Sequence, residues 1–225
     1  MASRLKEGIR LYRSKRWELA LAEFLATEGA DNEENADIAY YLGLCFTKLG
    51  RYDDALLYLE QVVTSGTDPL RAHQCRMALA YVYMLTGRSR LAEFELKKLI
   101  EKGFESVQIY SSLGFAAWQQ KRVDPSIEYY RKAHGIDAEN ANALNGLGFV
   151  LVDSDSDPRR GLVFCKMAVE RKPQNPAYLD SLGWAHYKNG GIPEARTWLR
   201  RALDLAPRRE EIVNHMRVVV GEIPS

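Results

Sequence analysis

The sequence predicts an all-α fold, a solenoid of six helix pairs followed by a C-terminal capping helix. Three observations predict it. A small residue recurs at Gly8, Gly43, Ala80, Gly114, Gly148 and Gly183. A second small series, Ala20, Ala55, Ala92, Ser126, Gly161 and Ala195, follows each of these by twelve or thirteen residues. Both series step by 34 to 37 residues, a period that marks stacked supersecondary units and leaves little chain for a separate catalytic domain. Finally, the repeat breaks near residue 209, where a new helical stripe begins.

Alignment on the small residues gives units 1–34, 36–69, 73–106, 107–140, 141–175 and 176–209. Counting from the first residue of each unit, position 7 is Leu42, Leu79, Leu113, Leu147 and Leu182. Position 24 is bulky at Phe24, Leu59, Leu96, Tyr130 and Leu199. Position 27 is Ala133, Ala168 and Ala202 in the last three units, and Pro173 and Pro207 stand at position 32. Each unit reads as two amphipathic helices, A and B. Small residues at positions 8, 20 and 27 let their backbones approach to roughly 8–10 Å between axes.

The elements follow in order. Unit one departs from the pattern with Glu7 at position 7. Gly50 stops helix A in unit two and Gly87 does so in unit three, as a C-terminal glycine should. Residues 70–72 read as a spacer between those units. Unit four carries Ser126 in the small series, and unit five has one extra residue in its turn. Asp68-Pro69, Asp124-Pro125, Asp157-Pro158 and Asn175-Pro176 each offer an N-cap acceptor before a proline at the first helical position. Ile212, Met216, Val219 and Ile223 form the stripe of a capping helix over 209–223. Val213, Val218 and Val220 lie partly off that stripe, which leaves a contact between copies of the chain as the alternative use of this helix.

The strings YLDSLGWAHYKNG (178–190) and EARTWLRRALDLAP (194–207) resemble a near-consensus tetratricopeptide repeat, and YYLGLCFTKLGRYDDALLYLE (40–60) is nearly as close. The resemblance covers almost the whole chain. It implies a right-handed α-solenoid of six such units plus the cap. It also implies that helix A of each unit presents positions 2, 5, 9, 12 and 13 to a partner. The last unit looks more like bacterial members than eukaryotic co-chaperones.

Composition bounds the function. The chain has 225 residues, 46% hydrophobic, and a formal net charge of +1. Near-neutral charge gives no electrostatic case for nucleic acid or anionic membrane. The C-terminal arginines, among them Arg196, Arg200 and Arg208, read as solvated helix faces. No apolar run of about 18 residues suits a membrane span, and the N-terminus lacks an apolar leader. Cys45, Cys75 and Cys165, odd in number and scattered, argue against a disulfide framework. The default compartment is the cytoplasm; the periplasm or a membrane surface is the alternative if a leader or lipid anchor precedes this chain.

No catalytic or metal constellation stands out. Asp153, Asp155 and Asp157 suggest a calcium loop, but the places that need Gly and Glu hold Pro158 and Phe164. His73 and Cys75 lack a second ligand pair. No phosphate loop, GxSxG or HExxH occurs. We expect no cofactor, no metal and no enzymatic activity.

Helix A carries a second stripe at positions 5, 9 and 12, on a different face from the packing stripe. Position 9 reads Ile9, Leu44, Tyr81, Phe115, Phe149 and Trp184. Position 12 includes Tyr12, Met84, Trp118 and Tyr187, and position 5 includes Tyr40, Met77, Asn145 and Asp180. A helix apolar on two faces must bury both or use one for a ligand. The expected site is therefore an aromatic-rich groove for a peptide or protein segment, with Asn142, Asn145, Asp180 and Ser181 making its C-terminal half polar. Trp118→Ala and Trp184→Ala are both expected to weaken binding while the helical signal persists. The carboxylate clamp of chaperone-binding members is disfavoured: its Lys, Asn and Arg positions hold Leu5, Ile9, Tyr41, Gln74 and Ala78 in the first three units, and Ser111, Phe115, Gly146, Ala177 and Ser181 in the last three. The alternatives are a carrier of a lipid or other apolar small molecule in the same groove, which would co-purify with an acyl chain, and a self-assembling module. The sequence names no partner and no pathway.

Overall fold

The computed structural model describes residues 2–29, 31–65 and 69–222. Among them are thirteen α-helices and no strand. Their ranges are α1 Ala2–Arg13, α2 Trp17–Leu25, α3 Asn32–Lys48, α4 Tyr52–Ser65, α5 Pro69–Leu85, α6 Ser89–Glu101, α7 Val107–Gln119, α8 Val123–Ile136, α9 Ala141–Asp153, α10 Pro158–Arg171, α11 Pro176–Lys188, α12 Ile192–Leu205 and α13 Glu210–Val219. The chain divides into two compact groups, Met1–Phe104 and Glu105–Ser225.

In the first group α1 packs on α2, α3 on α4 and α5 on α6, while α2 and α4 also pack on the helix that follows. The second group repeats the scheme with α7 on α8, α9 on α10 and α11 on α12, and α13 packs on α12 and α11. Odd-numbered helices touch one another within each group: α1 with α3, α3 with α5, α7 with α9, α9 with α11.

The two small-residue series explain this pairing. A Cβ on Gly43 would meet the Leu59 side chain at 2.6 Å, so the small residue of helix A receives the bulky residue of helix B. In the α9–α10 pair both series are glycine. A Cβ on Gly148 would fall 2.9 Å from the Gly161 carbonyl oxygen, and one on Gly161 would fall 2.7 Å from the Gly148 carbonyl oxygen. Ser126, at the equivalent place on α8, is fully buried and donates its hydroxyl to the Gly114 carbonyl at 2.8 Å. That bond satisfies the one polar group the small series introduces. Glu7 at the other departure is half-buried and ion-paired with Arg10.

Helix ends follow the sequence in most places. Gly50 and Gly87 take φ of +74° and +72° after α3 and α5. Asp157 accepts from the Arg160 N–H and Asn175 from the Ala177 N–H, each before an N-terminal proline. Asp124 differs. Helix α8 starts at Val123, so Asp124 lies inside the first turn, where a carboxylate still favours the positive end of the helix. Pro125 is then the third helical residue, one of the positions with no intrahelical N–H partner to lose. Residues 70–72 are helical within α5, because Pro69 opens that helix four residues before the repeat frame does. Asp68, the expected cap before Pro69, lies outside the described residues, as does Ile223 of the capping stripe.

The three cysteines are buried and form no disulfide. Burial pushes the thiols of Cys45 and Cys165 up to about 12, so they stay protonated and pack as small apolar groups. No helix among the described residues is long and apolar enough to cross a membrane.

Candidate partner-binding site

The predicted stripe falls in both groups, and the two behave differently. In the first group Tyr81 is 50% exposed, and Ile9, Tyr12, Tyr40, Leu44, Met77 and Met84 are half-buried. Tyr12 and Tyr40 both set their rings against Tyr41, at 5.8 and 5.2 Å between centroids. The Arg71 guanidinium lies over the Tyr40 ring at 4.6 Å and is held by Asp37 and Gln74. Burial raises the Tyr12 and Tyr40 hydroxyls above their ordinary value. A cavity of about 520 Å³ in this group lies between α3 and α4, beside Asn35, Ile38, Leu42 and Tyr58, and touches none of the predicted groove residues.

The second group does enclose part of the stripe. A cavity of about 560 Å³ is bounded by Phe115 and Trp118 of α7, Asn142, Asn145 and Phe149 of α9, Asp180 and Ser181 of α11, and Asn214 and His215 of α13. Phe115 is 43% exposed. Trp118 meets Phe149 edge-on, 5.8 Å between centroids and 86° between planes. Gly146 leaves room at the floor for the Tyr130 ring, which belongs to α8. The Asn145 Oδ1 is buried and has no hydrogen-bond partner among the described residues. The site thus combines aromatic faces with a free buried acceptor.

Trp184 and Asp180 are not open groove residues, contrary to the expectation that both face a partner. Each is only 7% exposed. The reason is α13. Its His215 ring stacks on the Trp184 indole, and His215 Nδ1 donates to Asp180 Oδ1 at 2.8 Å. The capping helix therefore closes the last pair as expected, with Ile212 and Val219 buried, and also covers part of the helix-A face. Tyr187 is half-buried and stacked on Trp184 at 5.1 Å. Arg209, Glu211, Asn214 and His215 are cavity residues that the repeat pattern did not nominate. Their only sequence signal is that α13 has a polar face beside its apolar stripe, and that signal does not say what the polar face meets.

The acidic loop is already engaged. Asp153 accepts from the Trp184 indole N–H at 2.8 Å, Asp155 pairs with Lys188 at 2.7 Å, and Asp157 caps α10. Among the described residues no three His, Cys, Asp or Glu side chains are grouped to hold a metal.

Tetratricopeptide-repeat models match residues 5–72, 107–140 and 177–208, together more than half of the chain. A TPR repeat-containing protein of Pseudomonas aeruginosa is 38% identical over 72 residues, 32% of this chain and 12% of that protein. The human protein O-mannosyl-transferase TMTC1 is 25% identical over 203 residues, 88% of this chain and 22% of that protein. The chain spans less than a quarter of the length of these curated relatives. Among solved structures, a thermophilic TPR protein of Thermus thermophilus matches with a TM-score of 0.67 at 18% identity, covering 82% of this chain and 98% of its own. YrrB, described as a TPR protein with an unusual peptide-binding site, matches with a TM-score of 0.56 at 15% identity, covering 81% and 92%. These structural likenesses show the fold, which is the α-solenoid class that the repeat period predicts. With its period, its paired helices and these matches, the chain belongs to the tetratricopeptide repeat family.

Proposed function

We propose that this chain is a non-catalytic interaction module that holds a peptide or protein segment against α7 and α9. Proteins of this family generally mediate protein–protein interaction, which sets the class of function. One observation carries the finer reading: Phe115, Trp118 and Phe149 wall one cavity together with Asn145, whose Oδ1 is buried without a hydrogen-bond partner among the described residues. A buried acceptor without a donor is costly, and a turn of the Asn145 amide toward a partner N–H in the cavity removes that cost. The aromatic walls supply area at small rotamer cost, as interface hot spots do. The polar groups on the cavity rim are partnered internally: Arg209 is ion-paired with Glu211, and Asp180 accepts a hydrogen bond from His215. The anchor that fits between the rings is therefore an apolar or aromatic side chain next to a backbone amide.

The experiment is selection of linear peptides from a random display library on the whole chain, followed by titration calorimetry of the enriched sequences. The reading expects peptides with an aromatic or large aliphatic anchor, and loss of about 0.5–1.5 kcal/mol of binding in Asn145→Leu. Enriched peptides that bind Asn145→Leu and Phe149→Ala as tightly as the unmodified chain would refute the site. Co-purification of an acyl lipid in the cavity would favour a carrier instead.

A further inference from the structure

The His215 side chain sits in the second group as a ligand would. Its ring is nearly parallel to the Trp184 indole, 4.4 Å between centroids and 17° between planes. Its Nδ1 proton goes to Asp180 Oδ1 at 2.8 Å, and Phe149 stands tilted at 6.5 Å on the cavity side. The indole N–H is turned away, donating to Asp153, which leaves the electron-rich indole face for whatever stacks there. An aromatic face beside a nearly buried carboxylate is the environment that suits a planar cation, by stacking and charge-assisted hydrogen bonding at once. A guanidinium meets both with a flat face and a fork of donors, whereas an ammonium is a compact, strongly hydrated point charge that cannot stack.

We propose that Trp184 and Asp180 form a subsite for an arginine side chain of the partner segment, and that His215 holds this subsite when no partner is bound. The proposal rests on the peptide-binding reading above and assigns the chemistry of one further anchor. Helix α13 need not leave for the exchange. Ile212 and Val219 keep it in the same buried core as Leu199 and Ala202, and rotation of the His215 side chain alone opens the subsite into the adjoining cavity.

The test empties the subsite and refills it with a small probe. His215→Ala is titrated with ethylguanidinium, following the Trp184 indole N–H resonance, which is assigned by its loss in Trp184→Phe. The expected result is a saturable shift at least about tenfold tighter for ethylguanidinium than for ethylammonium, abolished in His215→Ala/Asp180→Asn. No saturable shift, an equal response to ethylammonium, or a response that survives Asp180→Asn overturns the proposal. Should His215→Ala lose its helical circular dichroism, N-acetylarginine amide is titrated into the unmodified chain, and the His215 ring proton resonance is followed. Displacement of that resonance supports the subsite, and its persistence through saturating probe sinks it. The readouts lie on Trp184 and His215, not on Phe115, Trp118 or Asn145. Peptide binding without a guanidinium response therefore ends this inference alone, whereas a guanidinium response without peptide binding ends the functional reading and with it the assignment of the subsite to a partner's arginine.

Discussion

The Trp184 indole lies against the His215 imidazole, joining α11 to the helix that caps it. Its N–H is also bound to Asp153, so both its face and its edge are engaged inside the fold. Trp184→Ala should therefore cost about 3–5 kcal/mol, the usual range for truncating a buried tryptophan. Trp118 is half-buried and its recorded ring partner is Phe149. Trp118→Ala should cost nearer about 1 kcal/mol. Urea midpoints of the two variants check this. Equal losses would mean that the two tryptophans play the same part after all.

This difference shows where the sequence stops being informative. Period, small-residue series and glycine stops arise from contacts within one helix pair, and those contacts repeat, so they are written in the chain at a constant interval. Gly43 opposite Leu59 and Gly148 opposite Gly161 are such contacts. Phe115 and Phe149, predicted from the second stripe, do line the cavity. The covering of Trp184 and Asp180 depends on one helix that occurs once and has no repeat to align with. Its polar face, Asn214 and His215, carries no mark of the surface it meets. The start of α8 differs from the sequence reading for a smaller reason: a carboxylate before proline is acceptable both as a cap and inside the first turn.

The Gly148–Gly161 crossing predicts a local cost that is independent of function. In Gly148→Ala the new methyl meets Cys165 Sγ at 2.8 Å and a backbone oxygen at 2.9 Å, and backbone does not yield as a side chain does. A loss of about 1–3 kcal/mol is expected from overpacking. Thermal unfolding of this variant should show a clear drop, and an unchanged midpoint would mean that α9 and α10 are further apart than described.

Asn145→Leu separates binding from folding. Removing a buried acceptor that has no donor leaves stability unchanged or slightly higher, because the apolar replacement has no desolvation cost to carry. A urea midpoint that falls by more than about 1 kcal/mol equivalent would show that the amide has a structural partner.

His186 gives a pH signature. Burial and then the Lys166 charge hold its imidazole below the usual 6.5, with Glu194 acting the other way. The folded chain then takes up this proton less readily than the unfolded chain. Stability is complete above 6.5 and falls as pH drops through that value toward the lowered one. His186→Gln should flatten this part of the stability profile, measured as unfolding midpoint against pH in both chains. Parallel profiles would show that other groups govern it.

The central claim is that the aromatic cavity between α7, α9 and α13 is the working surface. It is tested most directly by titration calorimetry of one library-selected peptide against three chains: unmodified, Trp118→Ala and Trp198→Ala. Trp198 lies on α12 and does not line the cavity. The account predicts at least about tenfold weaker binding for Trp118→Ala, as for an interface hot spot, and unchanged binding for Trp198→Ala. Equal affinity of all three chains would contradict it.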